Sequence, residues 1–108
     1  MNRQELFVFH DECTTKMKKI CEAKNADYAG HTEKDCPFAN FTRVEAMGVA
    51  TAEQGFLTRM TDKLSRLATF AAAGSLAVKD ESAEDTLLDL ANYCILLAGY
   101  LRHKQGKI

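Results

Sequence analysis

Three stretches of the chain repeat apolar side chains at intervals of three and four, the period of an α-helix buried along one side. The first covers residues 3–26, where Leu6, Phe9, Cys13, Met17 and Ile20 form one stripe. The second opens at Thr51 and places Leu57, Met60, Leu64, Leu67 and Ala71 on its expected buried stripe, with Gly74 as a stop. The third begins at Ser82 and runs to about His103, roughly 30 Å at about 1.5 Å per residue. Thr51 with Gln54, and Ser82 with Asp85, have the spacing of capping boxes. Glu84 adds negative charge where a helix start favours it. A short helix is expected over residues 41–47, stopped by Gly48. Residues 29–40, with Gly30, His31, Asp35, Pro37 and Asn40, read as a loop, and residues 75–81 connect the last two helices. Nothing alternates with period two and nothing repeats. The pattern predicts an all-α fold: a compact bundle of three long helices plus one short helix, with residues 1–108 as a single domain.

Composition alters this picture in two ways. With 46 % apolar and 27 % charged residues the chain is ordinary globular material. At 108 residues, however, its core is thin, and self-association is the common remedy. The uncharged run from Leu90 to Leu101 is apolar on nearly every side, which points the same way. A homo-oligomer is therefore expected. That run is too short to span a bilayer, and the start MNRQELF lacks the basic and apolar regions of a signal peptide. The expected location is the cytoplasm, with no membrane partner.

A net charge of −1 supplies no general attraction to duplex nucleic acid, so none is expected as a partner. The lysines at 16, 18, 19 and 24 are broken up by Asp11, Glu12 and Glu22 and read as a solvated helix face. No two of Cys13, Cys21, Cys36 and Cys94 form a C-x-x-C pair, which argues against a zinc ribbon. Cys13 and Cys94 sit within apolar patterns and are expected to be buried thiols.

Three segments carry candidate chemistry. In residues 84–93, Asp85, Asp89 and Asn92 share one helix face, and that line continues past Tyr93 into Leu96 and Tyr100. An exposed stripe would not run into leucine and tyrosine, so the line is expected to be partly covered. Its carboxylates then need a cation, a metal or hydrogen-bond donors. On the second long helix, Arg59, Asp62 and Arg66 share a face with Lys63 beside them, away from the expected apolar stripe. Lys63 and Arg66 could bind phosphate, arginine as a planar fork. The plainer alternative is a solvated face with an Asp62–Arg66 pair worth about 0.3–0.5 kcal/mol. Past the first helix, Lys24, Asn25, Asp27 and Tyr28 precede Gly30. Tyrosine and asparagine there could stack on and hydrogen-bond a base, or the segment is simply a turn.

Taken in order, KNADYAG, FANF, RMTDKLSRL and VKDESAEDTLLDLANYCILL resemble the nucleotide modification associated domain family of phages, over residues 24–101. The likeness implies a nucleotide-handling protein in the host cytoplasm. It implies that Lys24, Asp27, Tyr28, Asp62, Lys63, Arg66, Asp85, Asp89, Asn92 and Tyr93 occupy the family's characteristic positions. The helical pattern is more distantly similar to the MazG-type nucleoside triphosphate pyrophosphatases, which hold magnesium on paired carboxylates. That likeness implies magnesium at Asp85 and Asp89. The second long helix carries D-K-L-S-R where those enzymes carry acidic pairs, and Glu81 and Glu84 sit at a helix start. Three functions stay open: a MazG-like pyrophosphatase, a non-catalytic binder sequestering host immune-signal nucleotides, and a helical interaction module without a small-molecule site.

Overall fold

The computed structural model describes the backbone of residues 1–29, 36–75 and 82–107, and the side chains of all of these but 28 and 29. It contains helices α1 (Arg3–Ala29), α2 (Ala39–Ala46), α3 (Ala52–Ala73) and α4 (Ala83–Lys104), and no strand among the described residues. The expected turn at Gly30, the loop positions His31 and Asp35, the connector from 76 to Glu81 and the Tyr28 side chain lie outside the described residues.

Local chemistry accounts for the ends of the helices. Both capping boxes form: the Thr51 hydroxyl accepts from the Gln54 N–H, the Ser82 hydroxyl accepts from the Asp85 N–H, and each N3 side chain answers the cap's own N–H. Gly74 closes α3 at φ 78°, a left-handed conformation that glycine adopts without a Cβ penalty, and donates to the Phe70 carbonyl. Acidic Glu84 and Asp85 open α4, and Arg102, His103 and Lys104 end it, in keeping with the helix dipole. Helix α1 runs three residues past its expected end. Its last turn is tied down by Asn25, whose side chain donates to the Pro37 carbonyl at 2.7 Å.

Helices α3 and α4 pack antiparallel, joined near one end by a Lys104–Glu53 ion pair at 2.9 Å and further along by Lys63–Asp89 at 3.3 Å. Helices α1 and α2 lie on one flank of this pair. The core is a small aromatic cluster of Phe38, Phe41, Ala52, Phe56 and Tyr100, with Tyr93, Leu96 and Leu97 against it. Phe41 stacks on Phe56 at 3.7 Å between ring centroids, and Phe38 meets Tyr100 edge-on at 5.5 Å. The Phe41 and Phe38 rings lie over Gly55 and Gly99.

The face that α3 buries differs from the expected stripe. Ala52 and Phe56 are buried and Lys63 lies half-buried on the same side, while Leu57, Leu64 and Ala71 are exposed. Met60 and Leu67, half-buried, sit on the boundary between the two faces. Phe56 sets the orientation because it fills the space beneath Phe41 and Tyr100. Cys94, expected to be buried, is exposed, and Cys13 is half-buried. Among the described side chains of α1 only Met17 is buried, and Leu6 near the helix start stands in solvent. Among the described residues no helix is long and apolar enough to cross a membrane.

Candidate functional site

Asp89 lies where three helices meet. Its Oδ1 accepts from Lys24 Nζ on α1 at 3.1 Å, and its Oδ2 accepts from Lys63 Nζ on α3 at 3.3 Å. Its side chain is 14 % exposed and that of Lys63 20 %, so the carboxylate line of α4 is covered at Asp89, while at Asp85 it is open, the partial coverage its sequence suggested. Helical spacing brings this about: Asp89, Tyr93, Leu96 and Tyr100 follow each other along one side of α4 and face α3 and the aromatic core. One turn earlier, Asp85 takes the Ser82 N–H on one oxygen and Lys16 Nζ, at 3.2 Å, on the other. These hydrogen bonds, that to Ser82 first and that to Lys16 second, hold its carboxyl below the usual aspartate range. Two members of the lysine group on α1 are therefore engaged with α4 rather than arranged as a solvated patch.

Beside Asp89 is a cavity of about 50 Å³. Lys24 and Asn25 line it from α1, Asn40 and Phe41 from α2, and Asn92 and Tyr93 from α4. Phe41 and Tyr93 meet edge-to-face at 6.3 Å. Asn92 also ties α4 to α1 by donating from Nδ2 to the Met17 carbonyl at 3.1 Å. On the α1–α4 side the cavity borders an open, mainly apolar groove of about 650 Å³, and the two share Cys21, Asn25, Pro37, Asn92 and Leu96. The cavity alone admits a few waters, since one needs about 10–15 Å³. Cavity and groove together reach the size of a small-molecule site. Burial, and to a lesser degree the Glu22 charge, push the Cys21 thiol up, so it is an un-ionised group on the cavity wall at neutral pH.

Of the residues singled out from sequence, the structure gathers Lys24, Lys63, Asp89, Asn92 and Tyr93. Asp27 and Asp62 are exposed, and Arg66 is half-buried one turn beyond Lys63, outside the cavity lining. Sequence reading passed over Cys21, Asn40 and Phe41. The last two lie within the FANF block, whose sequence carried the resemblance without marking a role for either. As for magnesium, all four oxygens of Asp85 and Asp89 accept hydrogen bonds. Among the described residues no three His, Cys, Asp or Glu side chains come together as a metal site would need. A divalent cation here would have to displace lysines. No family model, curated protein or solved structure matches the chain.

Proposed function

We propose that this protein binds a nucleotide, with the phosphates at Lys24 and Lys63 and the base in the joined cavity and groove, at Asn92 and Tyr93. One observation carries the reading. Two ammonium groups from separate helices converge on one carboxylate at the edge of a cavity lined by aromatic rings and amide side chains. Ammonium groups bind phosphate as charge-assisted donors, aromatic rings stack on a base, and asparagine amides can read its polar edge. Asp89 orients the lysines in advance, which lowers the entropy lost when a ligand takes them over. The resemblance to the nucleotide modification associated domain family of phages belongs to the same proposal, as does action in the host cytoplasm. The role proposed is binding without cleavage, the behaviour of a protein that sequesters nucleotides.

The test is calorimetry against nucleoside mono-, di- and triphosphates, with and without magnesium, followed by chromatography of the recovered ligand. The expected result is retention of at least one nucleotide, recovered intact, with affinity reduced about 10- to 100-fold in Lys63→Ala and in Lys24→Ala. That corresponds to about 1.5–3 kcal/mol for a hydrogen bond to a charged group. Magnesium-dependent cleavage by the wild type, lost in a folded Asp89→Asn protein, would replace binding with a pyrophosphatase reading. No retention of any nucleotide would leave an interaction module.

A further inference from the structure

The side of the α3–α4 pair turned away from α1 and α2 is an uncharged apolar face. It is made by Leu57, Leu64 and Ala71 of α3 and by Leu87, Cys94 and Leu101 of α4, each set spaced by seven residues. Thr61, Ala68, Ala91 and Ala98 fill the gaps, and no charged residue interrupts either row. Four contacts from α1, α2 and its N-cap residue reach the opposite flank: Phe41 at Gly55, Phe38 at Gly99, Lys16 at Asp85 and Lys24 at Asp89. Leu57, Leu64 and Leu87 are 52 %, 53 % and 51 % exposed.

We infer that this face is covered by a second copy of the same chain, packing its own α3–α4 face against it. The chain exposes 7871 Å². A folded monomer of 12.0 kDa would expose about 6,000 Å². The excess over the whole chain, roughly 1,900 Å², leaves room for the ~800 Å² that each partner buries in a standard interface, and on this face Leu57, Leu64, Leu87 and Leu101 supply its apolar centre. The shape suits a copy of itself. Rows repeating every seven residues form gently winding seams that pack helix against helix at about 20°, and the alanines between the leucines admit close approach. A two-fold axis brings identical patches together, and an uncharged patch meets its own image without repulsion. The ligand cavity is on the other side of the same two helices, so assembly and ligand binding can be altered separately.

The test is sedimentation equilibrium of the full chain at micromolar concentration, with Leu64→Glu on the face and Val49→Glu, also exposed but after α2, as control. The expected result is a dimer of the wild type and of Val49→Glu, and a dissociation constant raised at least 100-fold in Leu64→Glu. A second readout uses the wild type alone: Cys94, exposed in the single chain, should react with a maleimide at least tenfold more slowly than in urea-unfolded protein. If Leu64→Glu does not fold, this reaction decides. A wild-type monomer, an assembly untouched by Leu64→Glu, or a Cys94 that reacts at the unfolded rate would overturn the inference.

Discussion

The two sides of the α3–α4 pair differ in a way that simple hydrophobicity would get backwards. The side buried by the chain itself carries Phe56, Lys63, Asp89, Tyr93 and Tyr100, aromatic and charged groups mixed. The side left open carries leucines, alanines, a threonine and a cysteine with no charge at all. The inner side can bury ions because α1 and α3 deliver lysines to Asp89. The outer side has no polar groups to satisfy and needs nothing from its own chain. Covering its half-exposed leucines is worth roughly 1 kcal/mol each, a reserve that only another molecule can supply. What is buried by the chain is thus decided by shape and by polar partners, and the most uniformly apolar stripe is kept for association.

The largest effect that would break this contrast is a pair of neighbouring truncations. Phe56 is 0 % exposed and stacked on Phe41, whereas Leu57 beside it is half in solvent. Phe56→Ala is expected to cost about 3–5 kcal/mol, the usual loss for emptying an aromatic from a core. Leu57→Ala should cost about 1 kcal/mol or less within one chain, and its cost should grow with protein concentration as the second copy becomes bound. Denaturant melts over a 100-fold concentration range measure both. Equal losses at the lowest concentration would show that the two faces are not distinct.

Much of the fold could be read from the residues. Both capping boxes and the stop at Gly74 are local signals, written within four or five residues and formed as written, and the short helix before Gly48 forms as well but starts two residues earlier, at Ala39, taking Asn40 out of the expected loop. The choice of buried face on α3 was not local. Leu57, Leu64 and Ala71 satisfy the helical period as well as Phe56 and Lys63 do, and the packing of Phe56 beneath Phe41 and Tyr100 selects the latter. The same holds for the site. The coverage of Asp89 was legible because its line runs into Leu96 and Tyr100. Its two lysine partners and the cavity wall at Asn40 and Phe41 come from helices distant in sequence, and spacing along one helix cannot report them.

The next effect concerns the charges on the inner side. Asp89→Asn keeps the size of the side chain and removes the charge that two lysines share. A loss of about 1.5–3 kcal/mol is expected, the range for hydrogen bonds to charged groups. Asp62→Asn, one helix away on an exposed position, should stay within about 0.5 kcal/mol. Chemical denaturation of the two variants gives the comparison. If they prove equally mild, the Lys24–Asp89–Lys63 arrangement contributes nothing to holding α1, α3 and α4 together, and the inner face owes its burial to the aromatic cluster alone.

The smallest effect lies at the ends of the hairpin, where the ion pairs are open to water. At one end, the hydrogen bond donated by Lys104 holds the Glu53 carboxyl below its ordinary value of 4.5, and the same bond holds the Lys104 ammonium above 10.5. At the other end Asp85 is lowered by Ser82 and Lys16. The directions fix the signs. A lowered carboxyl stabilises the fold above its unfolded value and loses that contribution as pH falls through the folded one. A raised ammonium stabilises below 10.5 and loses its contribution as pH rises past the folded value. The wild type should therefore hold a level advantage over Glu53→Gln from about pH 6 to about pH 9, and that advantage should shrink as pH falls below 4.5 and Glu53 is protonated. The same acid window applies to Asp85→Asn. These groups are more exposed than Asp89, so added salt should flatten both differences more than it does the Asp89 one. Thermal midpoints against pH, at low and high salt, check this. An advantage for Glu53 that persists at acid pH would mean that its side chain acts through packing, and the hairpin end would then belong with the buried aromatic cluster rather than with the solvated charges.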